Sequence, residues 1–403
     1  MLRLFYFYNM PIQHLVLFDG FHRNNLLPIV ATRAVADIRI GILTIREKWE
    51  CLLSLPVHIL TADYLRAKYA HPPVGHTTFI NATVLPQQDW LDAVMDMPAD
   101  SVLKSGDTVV AVNTTAVIKT LAQLQDIAAQ LPVLMLKADS RQINYPWDIF
   151  RLNGVEIKQD IRRMKLTPNG EVLSATNQLL GTEIYVADGV QCECAVLNAQ
   201  HGPIYLGKDS EVMEGCTVRG PFALGEHSSL KMQAKIYGDT TIGPHCKVGG
   251  EVSNSVIIGY SNKGHDGFLG NAVVGEWCNL GADTNNSNLK NNYGKIKAWN
   301  YPAKDYINTN LQFCGLIMGD FAKSSINTMF NTGTVVGVAA NVFEGGFPPK
   351  FIPDFSWGLN ETFQLEKAFE VAERMMERRG VLLSDIDRGV LHHIFTETEI
   401  FRK

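Results

Sequence analysis

Between Leu206 and Val248 an aliphatic side chain returns at every sixth position, through Leu206, Val212, Val218, Leu224, Leu230, Ile236, Ile242 and Val248. A helix repeats its buried face every ~3.6 residues and a strand every second one, so a six-residue beat belongs to neither. It predicts a chain wound in three-sided coils, each beat forming one face of a parallel β-helix. Glycines follow Leu206, Leu224 and Ile242, where a coil must turn a corner. The beat extends backwards through Ile184, Val190 and Val196 and slips across 198–203. It resumes with Phe268, Val274 and Leu280, and again with Phe330, Val336 and Val342. Two slips, 253–266 and 283–311, predict excursions from the coils, where repeat proteins carry their binding groups. Repeats specify architecture and not chemistry, so a bare scaffold is the bland alternative.

The flanks have a different texture. From residue 14 to about 180, strand-like apolar runs at 14–18, 108–112 and 133–136 alternate with helical stretches such as 116–131, predicting an α/β domain with a largely parallel sheet. Tyr145, Pro146 and Trp147 begin the passage toward the solenoid, with Trp147 and Phe150 read as packing residues. Beyond Val342 the Gly-Gly-Phe-Pro-Pro run at 345–349 stops the repeat. Residues 362–379 then form an amphipathic helix whose apolar side carries Phe363, Ala368, Phe369, Ala372, Met375 and Met376. A second short helix starts near Ser384. The expected domains are 1–180, 181–346 and 347–403.

Composition narrows the function classes. With 403 residues, 46% hydrophobic and 19% charged, the chain has ample material for a core. A net charge of -5 and a pI near 6.1 leave no basic footprint for nucleic acid. The apolar start, MLRLFYFYNM, is too short for a membrane span and lacks a small-residue cleavage site, and translation starting at Met10 is an alternative to Met1. The seven cysteines lack zinc-site spacing, and His201, His227 and His245 have no metal-site context, so no metal site is expected and the thiols are read as reduced, in cytoplasm.

The segment Lys263-Gly264-His265-Asp266-Gly267-Phe268-Leu269-Gly270, with Asn279-Leu280-Gly281-Ala282, Asn292-Tyr293-Gly294 and 317–337, resembles the acetyltransferase domain of the bifunctional N-acetylglucosamine-1-phosphate uridylyltransferases. That resemblance implies an N-terminal nucleotidyltransferase-like domain joined to a left-handed β-helix, assembled as a homotrimer. The N-terminal pattern of Leu17-Phe18-Asp19, Arg23, Leu27-Pro28, Thr32-Arg33, Asp37, Arg39 and Gly41-Ile42-Leu43 resembles a family of sugar nucleotidyltransferases common in Bacteroidetes.

Acetyl transfer from acetyl-CoA to an amino-sugar phosphate needs a neutral amine, a thioester within reach and donors at the developing oxyanion. Histidine is suited to take the amine proton near neutral pH. The resemblance places His265 on the catalytic base, Asn279 on a substrate contact, and Asn292 with Tyr293 on an Asn-Tyr pair. Asn288 is a competing match, and Phe268 stands where the family has a tyrosine. Lys235, Lys247 and Lys263 are candidates for gripping the sugar phosphate, and Lys295 and Lys297 for the phosphates of coenzyme A.

Nucleotidyl transfer needs a backbone cradle for triphosphate, a cation at the α-phosphate and carboxylates for Mg²⁺. Here Asp19-Gly20-Phe21-His22-Arg23 replaces the glycine-rich loop of the family, and Ile29 follows Pro28 where a lysine is usual. Arg23 and Asp19 are the nucleotide-binding candidates. The alternative function is a non-catalytic scaffold that binds sugar nucleotides.

Overall fold

A computed structural model describes residues 14–137 and 140–402; the alternative starts at Met1 and Met10 fall outside them. The chain forms two compact units. Of the described residues, the first contains 14–23, Arg33–Ile38 and Thr44–Asn144, and the second contains Asn24–Thr32, Arg39–Leu43 and the chain from Tyr145 onward.

In the first unit six strands form one sheet: β1 (His14–Phe18), β2 (His58–Leu60), β3 (Thr77–Asn81), β4 (Ser101–Ser105), β5 (Thr108–Thr114) and β6 (Val133–Met135), in the order β2-β1-β3-β5-β4-β6. β1 runs parallel to both β2 and β3, whereas β5 is antiparallel to β3 and to β4. Because β6 is parallel to β4, five of these six strands run in one direction, and the sheet is largely parallel, as expected, with β5 alone reversed. The cause is local: Ser105 pairs with Thr108 across Gly106-Asp107, and a two-residue turn can only join antiparallel strands. Gly106 takes φ +57 in that turn. After α1 (Ile45–Leu53) and α2 (Gln88–Met95) comes α3 (Leu121–Ala128), whose Leu124 and Ala128 pack against Val16, Phe18, Phe79, Val102 and Val112 to make the core.

In the second unit the six-residue beat is the inward face of a parallel β-solenoid. Its three sheets hold six, nine and ten strands, and successive coils pair in parallel. The eight aliphatic residues from Leu206 to Val248 are at most 3% exposed. Each fully buried aliphatic side chain contributes roughly 1.5–3 kcal/mol relative to exposure, so the stack drives the coiling. Val274, Leu280, Phe330, Val336 and Val342 also point inward. The backward extension needs correction: Val186, Cys192 and Leu197 pair with Leu206, Val212 and Val218, so the beat has already slipped by one or two residues there. Likewise Leu269, and not Phe268, pairs with buried Val252. Neighbouring apolar residues made the two registers indistinguishable by period.

The corners are tight enough to dictate glycine. A Cβ on Gly243 would lie 1.8 Å from the Ile258 carbonyl oxygen of the next coil. The excursion within 283–311 includes an antiparallel hairpin of Lys297–Asn300 and Asp305–Asn308, after which Met318 re-enters in register with Val274.

Helix α4 (Pro146–Arg163) has proline in its first turn and groups with the solenoid. Its Ile157 and Ile161 pack with Ile42, Tyr185 and Ala223. Asp160 Oδ2 accepts the backbone N–H groups of Ile42 and Leu43 at 2.9 and 3.1 Å, and Asn153 Oδ1 accepts that of Gly41 at 2.7 Å. Thr241 Oγ1 donates to the Gly41 carbonyl at 3.0 Å. The Arg39 guanidinium closes the loop on itself by donating to the Ile42 carbonyl. At the C-terminus, α5 (Leu365–Glu377) buries Ala368, Phe369, Ala372 and Met376, and α6 (Asp385–Glu397) starts at Ser384, whose hydroxyl accepts from Asp387 N. Phe395 meets Phe355 of the last coils edge-on at 5.1 Å.

Candidate functional site

His265 lies in the short connection between the strands Asn262–Lys263 and Phe268–Gly270, on the rim of an open groove of about 580 Å³. Its imidazole is exposed, as are the carboxylates of Asp266 and Asp283 beside it. The floor is backbone: Gly249, Gly250 and Gly264 line it, and Lys231 brings a cation to its edge. Glycine is required beneath the histidine. Gly250 takes φ +74, and a Cβ there would lie 3.0 Å from the His265 carbonyl oxygen and 2.7 Å from that of Gly267. A side chain would lift the whole connection.

Lys263 does not reach this groove. It pairs with Val248 at an inward-facing position and is 2% exposed. Its Nζ donates to the carbonyl oxygens of His265 at 2.8 Å, Gly249 at 3.1 Å and Asp266 at 3.3 Å. Burial pushes its amine down to about 8, against the pull of Asp266 and Asp283. The expected role as a phosphate clamp is corrected on this ground, since every Nζ proton is directed at backbone. The structure instead offers Lys231, which sequence reading missed. Its signal was the 18-residue coil: Lys231 follows inward Leu230 as Gly249 follows Val248 and Gly264 follows Lys263.

The other candidates are dispersed. Lys235 is exposed on the six-stranded sheet, paired with Thr217 and Glu251. Lys247 is exposed on the ten-stranded sheet, where the nearby Arg379 guanidinium, aided by some burial, holds its amine below the usual range. Asn279 is exposed on the same sheet, between Asn262 and Lys323. None of the three lines the His265 groove. Asn292 lines a second groove of about 570 Å³ with Lys290, Asn331, Thr332 and Phe347. Tyr293 beside it is 68% exposed, with φ 56. Lys295 and Lys297 are exposed on the same excursion. The competing Asn288 is a brace, donating to Asn271 Oδ1 at 2.8 Å.

In the first unit Asp19 and Arg23 form a buried ion pair, 2.7 Å apart. Asp19 also accepts from Val35 N at 2.8 Å and Thr61 Oγ1 at 2.5 Å, while Arg23 donates to Tyr64 Oη at 3.1 Å. Burial pushes the Asp19 carboxyl upward, against the downward pull of Arg23. This corrects the expectation that the two face a triphosphate: both are 6% exposed or less, and their polar atoms face protein. A resident Mg²⁺ does not fit at Asp19, whose two oxygens already accept three hydrogen bonds.

A small pocket of about 140 Å³ lies where β1 and β3 end, lined by Gly20, His22, Asn81, Thr83, Asp107 and Asn144. The chain leaves β1 toward β2 on one side while β3 sits on the other, which is the switch point where open α/β sheets bind ligands. Asn81 organises the rim: Oδ1 accepts from Thr83 N and Oγ1 at 3.0 and 2.8 Å, and Nδ2 donates to the Val109 carbonyl at 2.9 Å. Sequence reading missed Asn81 and Thr83, because their place at a strand end opposite β1 is a property of the sheet order.

The chain is 24% identical over 219 residues to the bifunctional protein GlmU of Synechococcus elongatus, covering 51% of this chain and 44% of that relative. It is 38% identical over 82 residues to the bifunctional protein GlmU of Rippkaea orientalis, covering 20% and 16%. The chain thus spans less than half the length of these curated relatives. Among solved structures, a perosamine N-acetyltransferase of Caulobacter crescentus in complex with CoA and GDP-perosamine aligns at 12% identity and a TM-score of 0.16, covering 83% of this chain and 96% of that one. Residues 15–167, which hold the strand-end pocket, match the family model described as sugar nucleotidyl transferase.

Proposed function

We propose that the protein is a transferase of sugar-nucleotide metabolism whose solenoid carries acetyl transfer at the His265 groove. The observation that carries this reading is an exposed imidazole on an open, glycine-floored groove with a cation at its edge. In this reading the amine nitrogen of an amino-sugar phosphate attacks the thioester carbonyl of acetyl-CoA. The new C–N bond forms, the C–S bond breaks, and the amine proton passes through His265 to the departing thiolate. Lys231 offsets negative charge, either on the developing oxyanion or on the sugar phosphate. The curated relatives named as bifunctional proteins support a second activity beside this one.

The family match and the strand-end pocket favour a second reading for the first unit, the binding of a nucleotide or its sugar conjugate. Because Asp19 and Arg23 are consumed in the fold, this reading stops at binding and routes no nucleotidyl step through them. A homotrimer in the cytoplasm belongs to the same proposal, and hydrodynamic mass tests the trimer.

The test is incubation of purified protein with acetyl-CoA and a panel of amino-sugar 1-phosphates, following free coenzyme A. Turnover lost in His265→Ala supports the assignment; full turnover in that variant removes it. If no sugar turns over while nucleotides bind, the scaffold reading replaces it.

A further inference from the structure

A lysine in the column of aliphatic residues inside a solenoid is costly, because burial strips water from its charge. Val248 precedes Lys263 in that column. The methylene stem of Lys263 fills the space of an aliphatic side chain, and its amine reaches carbonyl oxygens at a corner of the coil. Two of its three acceptors belong to His265 and Asp266, and the third, Gly249, belongs to the preceding coil. The amine therefore ties the histidine connection to the coil below it. Elsewhere in the connection the Asp283 amide donates to the Asp266 carbonyl at 3.1 Å and the Glu251 amide to that of Gly267 at 3.2 Å, whereas the His265 carbonyl is held by the lysine. His265 and Asp266 are exposed, Gly264 has nothing within 4 Å of where a Cβ would stand, and Gly267 takes φ +115. Exposed residues between two glycines lose order readily unless anchored.

We propose that Lys263 is a positioning residue: from inside the solenoid its ammonium fixes the main chain of His265 and so aims the imidazole into the groove. The proposal rests on the reading of that groove as the acetyl-transfer site, because only there does the aim of the imidazole matter. Lys263 does not touch substrate and acts through the backbone of His265. A general base displaced by an ångström loses rate without losing the fold, so the effect falls on kcat.

The experiment uses the full chain with histidine labelled at its backbone nitrogen, the His265 signal being assigned by its loss in His265→Ala. The wild type should give a His265 order parameter of about 0.85, and Lys263→Met, which keeps the packing and removes the donors, should fall below about 0.6. In the acetyl-transfer assay Lys263→Met should lose about tenfold or more in kcat while KM for acetyl-CoA stays within about twofold. A purely structural lysine would lower thermal stability and leave that split unmoved. The proposal is overturned if His265 is already mobile in the wild type, if it stays rigid in Lys263→Met, or if kcat is unchanged in that variant. Should Lys263→Met fail to fold, Lys263→Gln takes its place, and an unchanged order parameter there overturns the proposal equally. A wild type that transfers no acetyl group overturns the reading of the groove, while the order parameter still judges the anchoring by Lys263.

Discussion

Arg23 Nε lies 2.7 Å from Asp19 Oδ2, with the two residues 6% and 0% exposed. A buried pair of this kind is poor at meeting ligand and costly to break, because removing one partner strands the other charge. Arg23→Ala should therefore destabilise the first unit by about 3–5 kcal/mol. Denaturant unfolding checks this. A variant of unchanged stability with lost nucleotide affinity would return Arg23 to the ligand.

Thr83 presents its hydroxyl at the strand-end pocket from a rim fixed by Asn81. Thr83→Val keeps the shape and removes the hydrogen-bonding group. It should weaken nucleotide binding by about tenfold, or about 1.4 kcal/mol, and, because Asn81 Oδ1 keeps only its bond from Thr83 N, lower stability by about 1 kcal/mol. Titration calorimetry with UTP and dTTP reads the affinity, and equal affinity in the variant would place the nucleotide elsewhere.

Asp160, itself fully buried, holds two backbone N–H groups of the 39–43 segment and also pairs with Arg163 at 2.7 Å. Asp160→Ala leaves those donors without their acceptor and should cost about 2–4 kcal/mol. Unfolding of the full chain measures it, and a change below about 0.5 kcal/mol would mean that water replaces the carboxylate.

Lys263 gives a pH signature. Its folded value of about 8 lies below the usual 10.5, so between these values the unfolded chain holds more protons than the folded one. Stability consequently rises with pH through that window, and the burden of the buried charge is fully present below it. Buried Cys192, Cys246 and Cys314, pushed up to about 12 by burial, act in the opposite sense once pH passes the usual thiol value of 9. The lysine effect is cleanest from pH 8 to 9, where it should approach about 1 kcal/mol per pH unit. Subtracting the profile of Lys263→Met from that of the wild type should isolate it, and identical slopes would show that the folded amine keeps its proton throughout this window, so that burial does not lower its value.

Gly250→Ala places a methyl group against the His265 connection at a backbone angle that disfavours it. Acetyl transfer should drop by about tenfold or more, with a stability loss of about 1–3 kcal/mol. Normal kcat in this variant would show that the connection tolerates displacement.

The sequence by itself determined the solenoid, because a six-residue apolar beat has one physical solution: each beat must be buried against the coils above and below. It also determined the strand at 14–18, most of the strand at 108–114, read as 108–112, and both C-terminal helices, whose periodicity and capping residues are local properties. That His265 lies in a break between coils was legible because the beat slips there, while its proposed role comes from the resemblance of the segment around it. What only the tertiary structure decided is which side of the wall each side chain faces. Lys263 and Lys247 read alike as candidates for gripping a sugar phosphate, yet a coil shortened to fifteen residues sets Lys263 inward opposite Val248. Asp19 and Arg23 read as a ligand site, yet Thr61 and Tyr64, some forty residues further on, close over them. Asn81 and Lys231 joined their sites only through sheet order and coil stacking. Local sequence fixes the period of burial, whereas charge pairing and the choice of face depend on neighbours that are distant along the chain and become adjacent only on folding.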